Sequence, residues 1–454
     1  MFIFDNSDVG KVFGVELITS SDMATAIQRW DDISSGRPNW INPEDDIGTV
    51  NMAKVIANTR AKLTTLDIGI KIDGSARAKR MQEIADDCIK RLPDRLSRAD
   101  RLGGMIIKWN GECWDFIMNG SFGVTAKGSD GAITGAIFAI QTVQNGEPYT
   151  RLEYHRFEKK LYRVSNKAFK NQVRASGDAR LGREVPLKTV EAWAHLKDEV
   201  YIENLNRPLF GYYRCPGAND IDPSSPLGTS VFDSAEEELR AIDIAISRKN
   251  GEVEDSKHMT FVGQQLIKYA ENNAVKLPRF VRGVGMGLND TDTTAIHEHV
   301  PTMLTEDRIK DINFDLSLAG VKCGFSEGVF VLDGQRGMIT ATQVEADDRD
   351  TIQTIKEERD ALSDALDQAL YGVDAMLTLY DTVPIGAYEV TYNFGDITYS
   401  YEEDKASWKT YAAQGWIPKW LYFVKFEGMS EEEAKALTQE ASAENQNAGL
   451  FGVE

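Results

Sequence analysis

Ser230-Val231-Phe232-Asp233-Ser234-Ala235-Glu236-Glu237-Glu238-Leu239-Arg240-Ala241-Ile242-Asp243-Ile244-Ala245-Ile246 is the stretch on which the fold turns. A helix beginning near Ser230 places Leu239, Ile242 and Ile246 on a thin apolar stripe. Glu236, Glu237, Glu238, Arg240 and Asp243 crowd the rest of its surface. A helix this polar is either a solvated surface helix or one packed against copies of itself. A second such helix resumes at Glu306, carries Ile309, Ile312 and Leu316, and ends near Gly320. Between the two, residues 259–303 read as a small insertion of strands and turns, opened by Thr260-Phe261-Val262 and closed by Pro301. Two thin-striped helices flanking a β insertion bury little in a monomer, whereas neighbouring copies in an oligomer would supply the missing packing.

Beyond this pair, a loop at Cys323–Gly328 precedes a strand-like Val329–Leu332 and then Asp333-Gly334-Gln335-Arg336-Gly337. The longest helix is expected over 342–379, opened by the capping box Thr342-Gln343-Val344-Glu345. Val344, Ile352, Ile355, Leu362, Leu366 and Leu370 form its stripe. Glu389–Phe394 reads as a last strand, and the tail over 402–445 as helical, with a turn at Gly415–Pro418.

Towards the N-terminus the period is also helical. Residues 22–30 align Met23, Ile27 and Trp30, with Ser21 or Asp22 as cap. Residues 50–63 align Met52, Ile56, Thr59 and Leu63, and residues 76–92 align Met81, Ile84, Cys88 and Leu92. After residue 100 the pattern becomes strand-like. Gly103–Trp109 and Cys113–Ile117 flank Asn110-Gly111; Ala132–Val143 and Thr150–Val164 flank Asn145-Gly146. Helical and hairpin-rich blocks in separate runs define an α+β class rather than a βαβ series. Residues 187–201 read as a connection with a short helix, and 207–228 as turns.

The 454 residues are too many for one compact core. No run reaches the roughly 18 apolar residues of a membrane-spanning helix, and Met1–Asp5 lacks the pattern of a secretory leader. The expected protein is soluble, makes no membrane contact and is synthesised in the cytoplasm. Cys88, Cys113, Cys215 and Cys323 are far apart and form neither a metal-ligand spacing nor a disulfide framework. With 51 basic and 71 acidic residues the net charge is −20. Such a chain repels phosphate overall, which counts against a sequence-specific DNA reader. It suits a wall past which DNA slides without sticking.

Catalytic signals are weak. Gly324-Phe325-Ser326-Glu327-Gly328 matches G-x-S-x-G, but the expected order is helix, loop, strand, and no histidine follows Ser326. His297-Glu298-His299 lacks a third ligand. Gly283-Val284-Gly285-Met286-Gly287 is not a dinucleotide fingerprint and no Walker sequence occurs. The pairs Lys79-Arg80, Lys159-Lys160 and Arg248-Lys249 are scattered. No enzyme activity, cofactor or metal is expected.

Several stretches, taken in order, carry a likeness. They are Trp30–Trp40, Ala99–Lys108, Tyr149–His155, Pro216–Asn219 with Ser225–Ser230, and Ile339-Thr340-Ala341-Thr342-Gln343-Val344 opening a long charged helix. In this order and spacing the chain resembles the portal, or minor capsid, proteins of long-tailed double-stranded DNA bacteriophages. The likeness covers most of residues 25–400. It implies a virion protein that forms a ring, commonly of about twelve subunits, at one capsid vertex. Double-stranded DNA would pass through without sequence specificity. The partners implied are the terminase large subunit, the major capsid and scaffolding proteins, and head-completion or adaptor proteins. The likeness divides the chain into a wing (1–229), a stem helix (230–258), a clip (259–303) and a stem return helix (304–319). A tunnel loop (320–341), a long wing helix and strand (342–400) and a crown (401–454) follow. Lys322, Gln335 and Arg336 near the tunnel loop, and Arg248, Lys249 and Lys257 on the stem, become candidate DNA-channel contacts. Two other readings remain: a baseplate- or scaffold-like structural protein of the virion without a channel, and a serine hydrolase using Ser326.

Overall fold

The computed structural model describes residues 6–41, 44, 46–159, 161–173, 179–255, 259–263, 281–284, 296–299, 304–332, 349–380, 383–395, 408–412, 417–427 and 429–438. At 47% helix and 24% strand the class is mixed α+β, as expected. Internal packing divides the chain into two units, Met1–Gln335 with Asp348–Phe394, and Arg336–Asp347 with Gly395–Glu454.

The first unit begins with helices α1 (Asn6–Phe13), α2 (Ser21–Ser34) and α3 (Met52–Thr64). Ser20, rather than Ser21 or Asp22, caps α2: its side chain accepts from Met23 N at 3.3 Å. The cap lies one residue earlier because Ser21 is already helical and its carbonyl accepts the Thr25 hydroxyl. Strand β1 (Gly69–Asp73) leads into α4 (Ala76–Leu102). The periodic pattern stops at Leu92 because Pro93 follows, yet the helix runs through it. Pro93 removes one backbone bond, but Leu96, Ala99 and Leu102 beyond it are completely buried, which outweighs that loss.

Gly103 ends α4 in the left-handed region (φ 82°), with Gly228 O where a Cβ would sit. The chain then reverses into β2 (Gly104–Trp109) and β3 (Trp114–Met118). All six residues of β2 are buried. It lies between β3 and β10 (Gly211–Arg214) in an antiparallel sheet.

A larger antiparallel sheet follows: β4 (Phe122–Lys127), β5 (Ile133–Gln144), β6 (Glu147–Glu158), β7 (Leu161–Val173) and β8 (Ala179–Val185), with β9 (Glu199–Glu203) also pairing β7. Asn145 (φ 53°) and Gly146 (φ 77°) make the tight β5–β6 turn, as the sequence predicts. The expected single strand Thr150–Val164 is instead a hairpin. It breaks at Lys159, which adopts φ 58° without the usual Gly or Asn. The 187–201 connection holds 3₁₀ turns at Leu187–Thr189 and Glu191–Trp193.

Ser230 starts no helix. Phe232 is fully buried, and a 3₁₀ turn (Asp233–Ala235) leads into α5 (Glu236–Asp255). Strands β11 (Met259–Gly263), β12 (Val281–Val284) and β13 (Ile296–His299) form the insertion, with β11 central, parallel to β12 and antiparallel to β13. Helix α6 (Thr305–Lys322) returns. Val329–Leu332, expected as a strand, is a turn in which Phe330 stacks edge-on against Phe325 at 5.0 Å. Helix α7 (Arg349–Leu379) spans about 46 Å; the capping box at Thr342–Glu345 lies outside the described residues. Strand β14 (Glu389–Asn393) pairs with β1.

The main core joins α2–α7 to the β2 sheet. Gly211 is where β10 meets α7: an added Cβ would lie 1.9 Å from Ala365 O, so no larger residue fits. In the second unit, described residues form helix α8 (Lys419–Glu427) and helical segments at 408–412 and 431–438. Lys435 Nζ sits 4.5 Å from the Trp420 ring centre.

Candidate functional site

The most distinctive arrangement is the antiparallel pair α5 and α6 with the β11–β13 insertion between them. Ion pairs hold both ends. Glu238, in the first turn of α5, meets Lys322 at 2.6 Å, while Ser234 donates to the Lys322 carbonyl at 3.0 Å. At the other end Glu252 pairs with Arg308 and accepts Leu304 N at 2.8 Å. On both helices the partners are fourteen residues apart, 238 to 252 and 308 to 322. The pair therefore keeps one register throughout. Leu239, Ile242, Ile312, Leu316 and Ala319 fill the space between.

A second side of α5 rests on the N-terminal segment. Trp40 Nε1 and Val50 N both donate to Asp243 at 2.9 Å, and Trp30 Nε1 reaches Asp233 and Glu236. Burial first, opposed by Trp30 and Arg29, leaves the Asp233 and Glu236 carboxyls above their ordinary range. The third side, carrying Arg240, Ile244 and Arg248, has no such neighbour; Arg240 and Arg248 are exposed and form no ion pair among the described residues. On α6 the outward side runs Asp307, Asp311, Phe314, Leu318 and Val321. Phe314 is 67% exposed and Val321 50%. Register places Arg248 level with Ile312, one residue from Asp311, and Ile244 level with the span between Phe314 and Leu318. The two outer sides thus set opposite charges and apolar residues at nearly equal height.

Of the candidate DNA contacts, the three among the described residues, Lys322, Arg248 and Lys249, do not form one cluster. Lys322 is engaged by Glu238. Arg248 is exposed and Lys249 half-buried, about 15 Å along α5 from the level of Lys322. Lys257, Gln335 and Arg336 lie outside the described residues.

Ser326 is 3% exposed and its oxygen accepts from Thr351 N (3.3 Å) and the Thr351 hydroxyl (3.0 Å). The Thr351 hydroxyl in turn accepts Ser326 N at 2.8 Å. This clasp caps the first turn of α7 and keeps the Ser326 hydroxyl engaged with Thr351. His297 and His299 sit opposite Phe261 and Met259 on β13. The four cysteines are free, and burial pushes the Cys215 and Cys323 thiols up to about 12.

Two buried charge clusters escaped the sequence reading. In the first, Glu153 pairs with Lys108, with Arg151 (2.8 Å) and with His155 (2.7 Å), and His155 also meets the Tyr162 hydroxyl at 2.8 Å. Burial opposes ionisation of Glu153, but Lys108 and then Arg151 and His155 outweigh it and hold it well below the usual carboxylate range. Burial lowers His155, against the pull of Glu153. In the second, Arg60 pairs with Glu358 beside Asp100 and Tyr213. The signal available for the first was Lys108 within Met105-Ile106-Ile107-Lys108-Trp109, a charge inside an apolar run.

No protein-family model matches the chain, and no curated protein matches it. No helix among the described residues is long and apolar enough to cross a membrane.

Proposed function

We propose that this chain is a portal subunit of a tailed bacteriophage, forming a ring of about twelve copies at one capsid vertex. Double-stranded DNA is packaged and ejected through that ring. The carrying observation is the α5–α6 pair, whose two outer sides have no ion-pair or core partner among the described residues and are complementary at nearly equal height. Repetition about an axis parallel to the helices sets Arg248 of one copy against Asp311 of the next, and Ile244 against Phe314. Such a head-to-tail contact generates a closed ring when the rotation between copies closes on itself, and an open filament when it does not. The β11–β13 insertion is the docking site for the terminase large subunit and later for head-completion proteins. The outer part of the first unit meets the capsid and scaffolding proteins. The net charge of −20 supports a channel that DNA does not adhere to.

The engagement of Lys322 with Glu238 favours a second reading, a structural virion protein that assembles without a DNA channel. Mass photometry with negative-stain imaging of the purified protein separates the two. Rings with a central hole wide enough for duplex DNA support the portal reading. Open chains, or closed particles without a hole, put the second reading first.

A further inference from the structure

Asp100 in α4 and Glu358 in α7 are completely buried, and Arg60 beside them is 4% exposed. Asp100 Oδ1 accepts the Tyr213 hydroxyl at 2.8 Å, and Glu358 pairs with Arg60 through Oε2. The other oxygen of each, Asp100 Oδ2 and Glu358 Oε1, is buried without a hydrogen-bond partner. One guanidinium therefore faces two carboxyl groups. With both ionised, the core would hold an uncompensated negative charge and two bare acceptors, each costly to bury. A single proton removes both faults, because a carboxyl O–H on one side can donate to the free oxygen on the other.

We propose that Asp100 and Glu358 share one proton, which makes the joint between α4 and the long helix α7 sensitive to pH. Among the described residues, the titratable groups facing the pair are Arg60 from α3, Tyr213 from β10, Cys215 just after it, and Arg101 beside Asp100 on α4. Arg359, next along α7, turns away to the Thr64 and Leu63 carbonyls. Burial, then the Glu358 carboxylate, push the Asp100 carboxyl well above its usual range, against Arg60 and Tyr213. The folded chain then retains a proton that the unfolded chain sheds above about pH 4. The stabilising contribution is complete below that value and declines as pH rises towards the elevated folded value.

Infrared spectroscopy of the intact protein near neutral pH tests this, since exposed carboxyls are then ionised. The wild type should show the carbonyl stretch of a protonated carboxylic acid, and Asp100→Asn should lack it. Between about pH 5 and pH 9 the wild-type thermal midpoint should fall at least about 3 °C further than that of Asp100→Asn. Should Asp100→Asn fail to fold, the wild type alone decides: the acid band must be present near neutral pH and fade on alkaline titration. Absence of the band from the wild type overturns the proposal, as does its persistence in both Asp100→Asn and Glu358→Gln.

Discussion

Lys322 Nζ lies 2.6 Å from Glu238 Oε1, tying the last residue of α6 to the first turn of α5. Both charges also complement the ends of their own helices, a cation at a C-terminus and an anion at an N-terminus. The Glu238 side chain is 11% exposed, so removing its partner strands a nearly buried carboxylate. Lys322→Ala should lower stability by about 1–2 kcal/mol, between the range of surface pairs and that of buried ones. Urea denaturation, in a cycle with Glu238→Gln, measures it; an unchanged midpoint refutes the pairing.

Charge reversal at the outer sides of the helix pair should act on assembly, not on folding. Arg248→Asp should break rings into smaller species, and adding Asp311→Arg should restore them. Close charge pairs across an interface couple by about 1.5 kcal/mol or more. Mass photometry at fixed ionic strength reads the outcome. Rings from the single variant as abundant as wild type would rule out this contact while leaving ring formation intact.

Lys108→Met should be far more damaging than its conservative size suggests. Lys108 pairs with Glu153, lies 3.8 Å from Asp115, and sits 5.2 Å over the Phe138 ring. Breaking one member of a buried charge cluster typically costs about 3–5 kcal/mol. A thermal midpoint close to wild type would show that Arg151 alone balances Glu153.

Acid should act through His155. Its folded proton affinity is depressed by burial, so the unfolded chain binds the proton more readily. The resulting stability is present above about pH 6.5 and is lost as pH falls through the window below it. His155→Gln removes this ionisation and should flatten the pH dependence between about pH 6.5 and pH 5, whatever its effect at neutral pH. A profile parallel to wild type in that window would assign the acid sensitivity elsewhere. Protonation of Glu153, held low by Lys108, contributes only at more acid pH.

Periodic elements were readable because burial is their cause. Met81, Ile84, Cys88 and Leu92 announce α4, and the spacing of Leu239 and Ile242 announces α5. The elements that escaped depend on partners far along the chain. The extension of α4 beyond Pro93 rests on what Leu96 and Leu102 meet in the folded core. Lys159 turns the chain with no turn-forming residue, so the β6–β7 hairpin left no local mark. Val329–Leu332 has strand composition but packs as a turn because Phe330 finds Phe325. Of the candidate contacts, Arg248 is exposed on α5, whereas the engagement of Lys322 by a residue 84 positions away was invisible in sequence.

The Ser326–Thr351 clasp joins positions 25 residues apart, and Thr354 donates to the Gly324 carbonyl at 2.7 Å beside it. Fixing two positions together removes most of the entropy cost of closing the chain between them. Doubling such a stretch adds only about 0.6 kcal/mol of closure entropy. Holding positions 326 and 351 together thus sets the closure cost of the interval between them once, and lengthening that interval should move the thermal midpoint only slightly.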